Sequence, residues 1–325
     1  MPRDYSTRFK KFAAVIYLVV ILVGLELGLQ LVHLGVRFWQ RKPSENLLMA
    51  YLQDKQLAQE IWRETWTPMR HRGWHQFLGW SAWPQTGRHV NIDAQSGRQT
   101  WNPAFTPGQA APSLYMFGGS ALFGVGARDA YTIPSRFSHL LADQGYRFQV
   151  FNYGEQGYNF TQGVLHLTLM LREGRRPAHV IFYEGFNDLY AAHQHGRAGT
   201  VHNIAMTKDK LELRYRDLVW NSLVEGFRKY CMTYRAINGA YLYFHPEAKF
   251  QEVAATYSPE QLTQLAKEVA EDFRATLGLL DRLSQAYGFR YLVFWQPCIF
   301  TEERRLPQEA HLDPRSQDQS FGRIA

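Results

Sequence analysis

The sequence predicts an α/β protein: a three-layer α/β/α sandwich on a parallel sheet, preceded by an N-terminal transmembrane helix. Three observations predict it. The segment 12–36 is apolar apart from Glu26, Gln30 and His33. Four short apolar runs of strand length, at 114–117, 148–152, 179–183 and 291–295, are separated by longer runs, three of them of helical period. The first three of these runs end in small-residue turns bearing polar groups, the form parallel strands take where crossover helices begin.

Phe12 to Leu25 carries no charge, and at about 1.5 Å per residue the whole segment covers a hydrocarbon core of roughly 30 Å. Arg3, Arg8, Lys10 and Lys11 precede it, and Arg37, Arg41 and Lys42 follow, a slight bias toward a cytoplasmic N-terminus. No Ala-x-Ala site follows the run, which favours an uncleaved anchor over a signal peptide and places the remainder outside the cytoplasm. Residues 43–66 have the pattern of an amphipathic helix. From 72 to 107 tryptophans and glycines are dense and helical period is absent, which predicts short strands and turns that bury an irregular lobe or form a lid.

Beyond Ser120 the alternation is regular. Ile133–Gln144 is a predicted helix with Pro134 in its first turn and Gly145 past its end. Phe148–Asn152 is a strand, Asn159–Glu173 a helix stopped by Gly174, and His179–Tyr183 a strand. Ser258-Pro259-Glu260-Gln261 opens a helix running to Tyr287, and Tyr291–Trp295 is a further strand. The stretch 188–257 mixes histidines, glycines and aromatics and reads as an insertion of loops with one or two helices around 218–230. These readings divide the chain into a cytoplasmic tail (1–11), an anchor (12–36), a membrane-proximal irregular lobe (37–107), an α/β domain (108–300) and a polar tail (301–325).

With 325 residues and 46% hydrophobic content the chain has ample material for a core. The net charge of +7 comes without any long basic run, which argues against a nucleic-acid partner. Cys231 and Cys298 allow one disulfide at most and lack the partner pair of a zinc site, so no metal is expected.

The chemistry lies at the strand ends. Met116-Phe117-Gly118-Gly119-Ser120 breaks an apolar run at two glycines and presents a hydroxyl, either as a nucleophile raised on a strand-to-helix turn or as a plain helix cap. Gly154-Glu155-Gln156-Gly157-Tyr158-Asn159 and Glu184-Gly185-Phe186-Asn187-Asp188 end the next two strands. In a parallel sheet these turns share one edge. Ser120 can then meet the Gly157 amide and the Asn187 carboxamide, donors suited to a developing oxyanion. Taken singly, Gly157 is an ordinary turn glycine and Asn187 a loop asparagine; their joint spacing is the signal.

On these three blocks the chain resembles the SGNH (GDSL-type) hydrolases, in the membrane-anchored, extracytoplasmic bacterial variant that writes Gly-Gly-Ser for Gly-Asp-Ser. The resemblance runs from about Gly79 through Val90-Asn91-Ile92-Asp93 to about Pro297. It implies a flavodoxin-like sheet, Ser120 as nucleophile, and Gly157 and Asn187 as oxyanion donors. It further implies hydrolysis or transfer of an acyl group, often acetyl on a glycan, with no cofactor. The family's Asp-x-x-His block, source of its base, is absent. The polar tail suggests a chain shortened, or altered by a frame change, relative to the family, with a last helix and part of the sheet's cover missing. The candidate base is His311, with His193 and His195 as alternatives. The substrate implied is an acyl ester or acylated glycan. The other reading is a catalytically impaired relative that binds glycan or a partner in an envelope assembly.

Overall fold

The computed structural model describes residues 5–39, 52, 54–70, 73–95, 97–105, 111–202, 204, 215–244 and 257–298. Contacts gather the chain into two units, Met1–Ser44 with Met206–Ala254, and Glu45–Ala205 with Ala255–Ala325. The sequence boundaries place 206–254 inside the α/β domain (108–300), whereas here that segment groups with the N-terminal helix. The reason lies in side chains that the linear pattern does not link.

The first unit holds α1 (Tyr5–Trp39), α7 (Tyr215–Tyr230) and α8 (Met232–Phe244). Within α1, Lys11–Leu34 is long and apolar enough to cross a membrane. Glu26 accepts the backbone N–H groups of Met232 (2.6 Å) and Thr233 (2.9 Å), and so caps the first turn of α8.

The second unit begins with α2 (Lys55–Arg70), whose first turn is capped by the Asp54 carboxylate, and an antiparallel hairpin, β1 (Gly73–His75) and β2 (Gly79–Ser81). There follow β3 (Ser113–Gly118), α3 (Ser120–Phe123), α4 (Ile133–Asp143), β4 (Gln149–Asn152), α5 (Phe160–Arg172), β5 (His179–Glu184), α6 (Phe186–His195), α9 (Pro259–Tyr287) and β6 (Arg290–Trp295). Four strands form one parallel sheet in the order β4-β3-β5-β6. Three caps agree with the start signals in the sequence. Thr132 accepts from Ser135 ahead of Pro134, while Asn159 and Ser258 form capping boxes with Gln162 and Gln261. Asn159 is buried, its Oδ1 accepting from Gln162 N (2.9 Å) and its Nδ2 donating to the Thr200 carbonyl (3.0 Å).

Side chains alternate along β3. Tyr115 and Phe117 face a core of Phe160, Val164, Leu167 and Leu280 from α5 and α9, while Leu114 and Met116 meet Leu122 from α3 and Phe137 and Leu141 from α4. The sheet is thus clad by helices on both faces. At β6 the cladding changes. Tyr291 and Val293 pack in the first core, but Leu292 and Phe294, in register with Ile181 and Tyr183, stay exposed at 59% and 49%.

One element departs from the sequence reading. The residues after Asn187 were expected to enter a loop, yet Phe186–His195 is helical. Leu189 and Ala192 pack against Leu262, Leu265 and Val269 of α9, and that packing decides between helix and loop.

Candidate active site

The strand order places the site. In the order β4-β3-β5-β6, the chain leaves β3 for a neighbour on one side and, after β4, returns to build β5 on the other. The connections after β3 and β5 therefore diverge, and the crevice of such a sheet opens at the carboxyl ends of those two strands. Ser120 follows β3 and Asn187 follows β5.

The turns are in contact. A Cβ placed on Gly119 would stand 2.3 Å from Asn187 Nδ2 and 3.5 Å from the Tyr158 carbonyl oxygen, so the bare Gly119 leaves the space that the carboxamide occupies beside Ser120. Asn187 Nδ2 donates to the Tyr158 carbonyl at 2.7 Å, tying the turn after β5 to the turn after β4. An amide nitrogen carries two protons, and this bond uses one. Gly157, at φ 81°, adopts a left-handed conformation that suits glycine. Glu155 N donates to the Gly118 carbonyl (2.8 Å), and a Cβ on Gly154 would meet Phe123 N at 2.5 Å, so backbone packs on backbone behind the serine.

Ser120 is half-buried and begins a helix of only four residues, so the dipole available to an anion there is small. Among the described residues its hydroxyl has no hydrogen-bond partner. His311 lies outside the described residues. His193 and His195 sit in the last turns of α6, roughly 9–12 Å along the axis from Asn187. His193 is buried, its ring against Tyr257 at 5.3 Å. Burial lowers the pKa of His195.

Asp188 holds the turn. Its carboxylate accepts from Phe160 N (3.1 Å) and Gly185 N (3.1 Å), bridging two strand-end turns. Burial nevertheless raises its pKa from 3.8 to about 6, against the lowering effect of those N–H donors. Glu184 is raised well above the usual carboxylate range by complete burial and then by the nearby Asp188 charge. Between about pH 4 and 6 the folded chain keeps the Asp188 proton that the unfolded chain has lost. Stability from this group is therefore full below its unfolded pKa and falls as pH rises through that window. Asp188→Asn is expected to remove about 2 kcal/mol of this loss between pH 4.5 and 7, read from unfolding of the detergent-purified chain at both pH values. An unchanged pH slope in the variant counts against it.

Sequence reasoning overlooked the supports behind Ser120. Arg98, 2% exposed, pairs with Asp129 (3.0 Å) and donates to the carbonyls of Phe123 (2.7 Å), Gly124 (2.6 Å) and Ala127 (2.5 Å), where the one-turn helix ends. Asp129 also accepts from Asn91 N and Nδ2. The N-terminal hairpin is similarly engaged. Trp80 Nε1 donates to the Gln156 carbonyl (3.0 Å), the Tyr158 hydroxyl donates to the Trp80 carbonyl, and Gln162 Nε2 donates to the Leu78 carbonyl (2.8 Å). Residues of the irregular lobe thus pin the Gly157 turn. Trp74 and Trp83 remain exposed.

No family model and no curated protein matches the chain. Among solved structures it is similar to AlinE4, described as an SGNH-hydrolase family esterase, at 23% identity over 25% of this chain and 43% of that one, with a TM-score of 0.24. It is also similar to TesA, at 16% identity over 65% of this chain and 68% of that one, with a TM-score of 0.28. The chain therefore spans less than half the length of AlinE4. Superpositions this loose carry no weight on fold or chemistry, which rest here on strand order and on the turns.

Proposed function

We propose that the chain is a membrane-anchored serine acyl-esterase or acyltransferase of the SGNH type, acting outside the cytoplasm on acyl esters of cell-surface glycans. The observation that carries this reading is the clamp at Ser120: the Asn187 carboxamide fills the space left by Gly119 and bonds the Tyr158 carbonyl beside Gly157. Ser120 Oγ attacks the acyl carbon, and its proton passes to a base, for which His311 is the candidate. The carbonyl oxygen becomes an oxyanion facing the amides of Ser120 and Gly157 and the second N–H of Asn187. Collapse expels the alcohol, which takes the proton back from the base, and leaves an acyl-serine. Water, or a second hydroxyl, then accepts the acyl group in the reverse sequence. The length and apolarity of α1 support the anchor, and the slight excess of basic residues before it supports a cytoplasmic N-terminus.

A second reading, a pocket that binds an acylated glycan or an envelope partner without turnover, is favoured by a sequence that carries no Asp-x-x-His block to supply a base. A fluorophosphonate probe applied to the full chain in detergent separates the two, since only an activated serine takes the phosphonyl group. An adduct on the Ser120 peptide supports the enzyme. No adduct, while a control serine hydrolase is labelled under the same conditions, supports the binder.

A further inference from the structure

We propose that α7 and α8 form a lipid-embedded hairpin beside the α1 span, α7 lying in the plane of the membrane surface and α8 dipping into one leaflet. This rests on α1 crossing the bilayer, as proposed above. Glu26 is the single acidic residue in Lys11–Leu34, and a carboxylate at that depth is costly unless its oxygens are satisfied. They are satisfied by the start of α8. Met232 N, Thr233 N and the Thr233 hydroxyl (2.9 Å) donate to it, as does the Cys231 thiol at 3.4 Å. Glu26, Leu29 and His33 are half-buried on one stripe of α1, while the other described apolar side chains from 14 to 34 are exposed. Glu26 stands eight residues inside Leu34, about 12 Å along the helix, and the first turn of α8 shares that depth.

The rest of the hairpin has the composition of a lipid-facing element. From Ala236 to Phe244 there is no charge, and Ile237 and Phe244 are 66% and 75% exposed. On α7, Val219, Trp220, Leu223, Phe227 and Tyr230 form one exposed apolar stripe, with Glu225, Arg228 and Lys229 on the opposite face. That is the pattern of a helix lying in a membrane interface. The 13 residues of α8 reach only about 20 Å, too short for a hydrocarbon core of roughly 30 Å, so it enters one leaflet. Lys229 and Arg235 line a cavity of about 680 Å³ with His33 and Leu34, at the interfacial end of the span, where cationic side chains reach phosphate headgroups.

The test uses the full chain in phosphatidylcholine–phosphatidylglycerol vesicles, with Cys231→Ser and Cys298→Ser as background. Spin labels are placed one at a time by Val20→Cys, Leu223→Cys, Ile237→Cys and Glu271→Cys. Collision with oxygen against collision with a soluble nickel chelate reports lipid against water. The expected result is that Leu223 and Ile237 give the oxygen-rich ratio of Val20, while exposed Glu271 on α9 gives the aqueous one. If Val20 reads lipid and the two hairpin sites read water, the hairpin is overturned and the anchor stands. If all four read water, the anchor reading falls and the hairpin with it. If the hairpin sites are shielded from both reagents and crosslink between copies, their partner is a second chain and the proposal is overturned. Adding Glu26→Ala is expected to shift Ile237 toward the Glu271 ratio; no shift overturns the tethering by Glu26.

Discussion

Ser120→Ala is expected to bring hydrolysis of p-nitrophenyl acetate by the full chain to the buffer rate, and Asn187→Ala to lower kcat by about 10²–10³. The two losses have different origins. Ser120 would supply the bond-forming oxygen, whereas Asn187 would supply one N–H to an oxyanion that exists only in the transition state, so its removal acts on kcat more than on KM. Asn187 has a second duty that must be separated from the first. Its 2.7 Å bond to the Tyr158 carbonyl holds the Gly157 turn, and losing it costs stability as well. Asn187→Asp distinguishes the roles, because a carboxylate keeps the shape, cannot donate, and places negative charge where the oxyanion forms. Activity that falls less than threefold in Asn187→Ala, while Ser120→Ala is dead, would reduce Asn187 to a turn clamp.

Arg98→Ala is expected to destabilise the α/β unit by about 3–5 kcal/mol, the largest stability effect anticipated for a single side chain. The substitution strands Asp129 without its cation and takes the Arg98 donor from the carbonyls of Phe123 and Ala127, while the Gly124 carbonyl keeps only Ala127 N. For a unit of this size the melting temperature of the detergent-purified chain should drop by roughly 10 °C. Arg98→Lys restores the charge but not the planar fork that reaches several acceptors at once, so it should recover less than half of the loss. A melting temperature within a degree or two of the parent in Arg98→Ala would show that the network contributes little. Because these carbonyls end the helix that Ser120 begins, any residual folded Arg98→Ala should also lose activity.

Local chemistry explains which features were legible in the residues. The caps at Thr132, Asn159 and Ser258, and the glycines closing α4, α5 and α9, act within a few positions, so their pattern carries their meaning. The unbroken apolar run along β3 likewise encodes a strand buried on both faces. The helix after Asn187 was not legible, because contact with a partner some seventy residues later decides its state. Arg98 is a single cation in an irregular segment, with no spacing that marks its three carbonyl partners. Glu26 looks like a blemish in an apolar span until α8 is brought to it.

Read alone, the chain of residues specified an apolar span, alternating strands and helices, and three glycine-bearing strand ends. Those features arise from periodicity and backbone sterics between near neighbours. Only the tertiary structure decided that β4 and β5 flank β3 on opposite sides, which sets Ser120 and Asn187 astride one crevice. It alone also grouped 206–254 with α1. Both outcomes depend on pairings between groups far apart in sequence, selected by buried area and by satisfied polar groups, quantities that no local window contains.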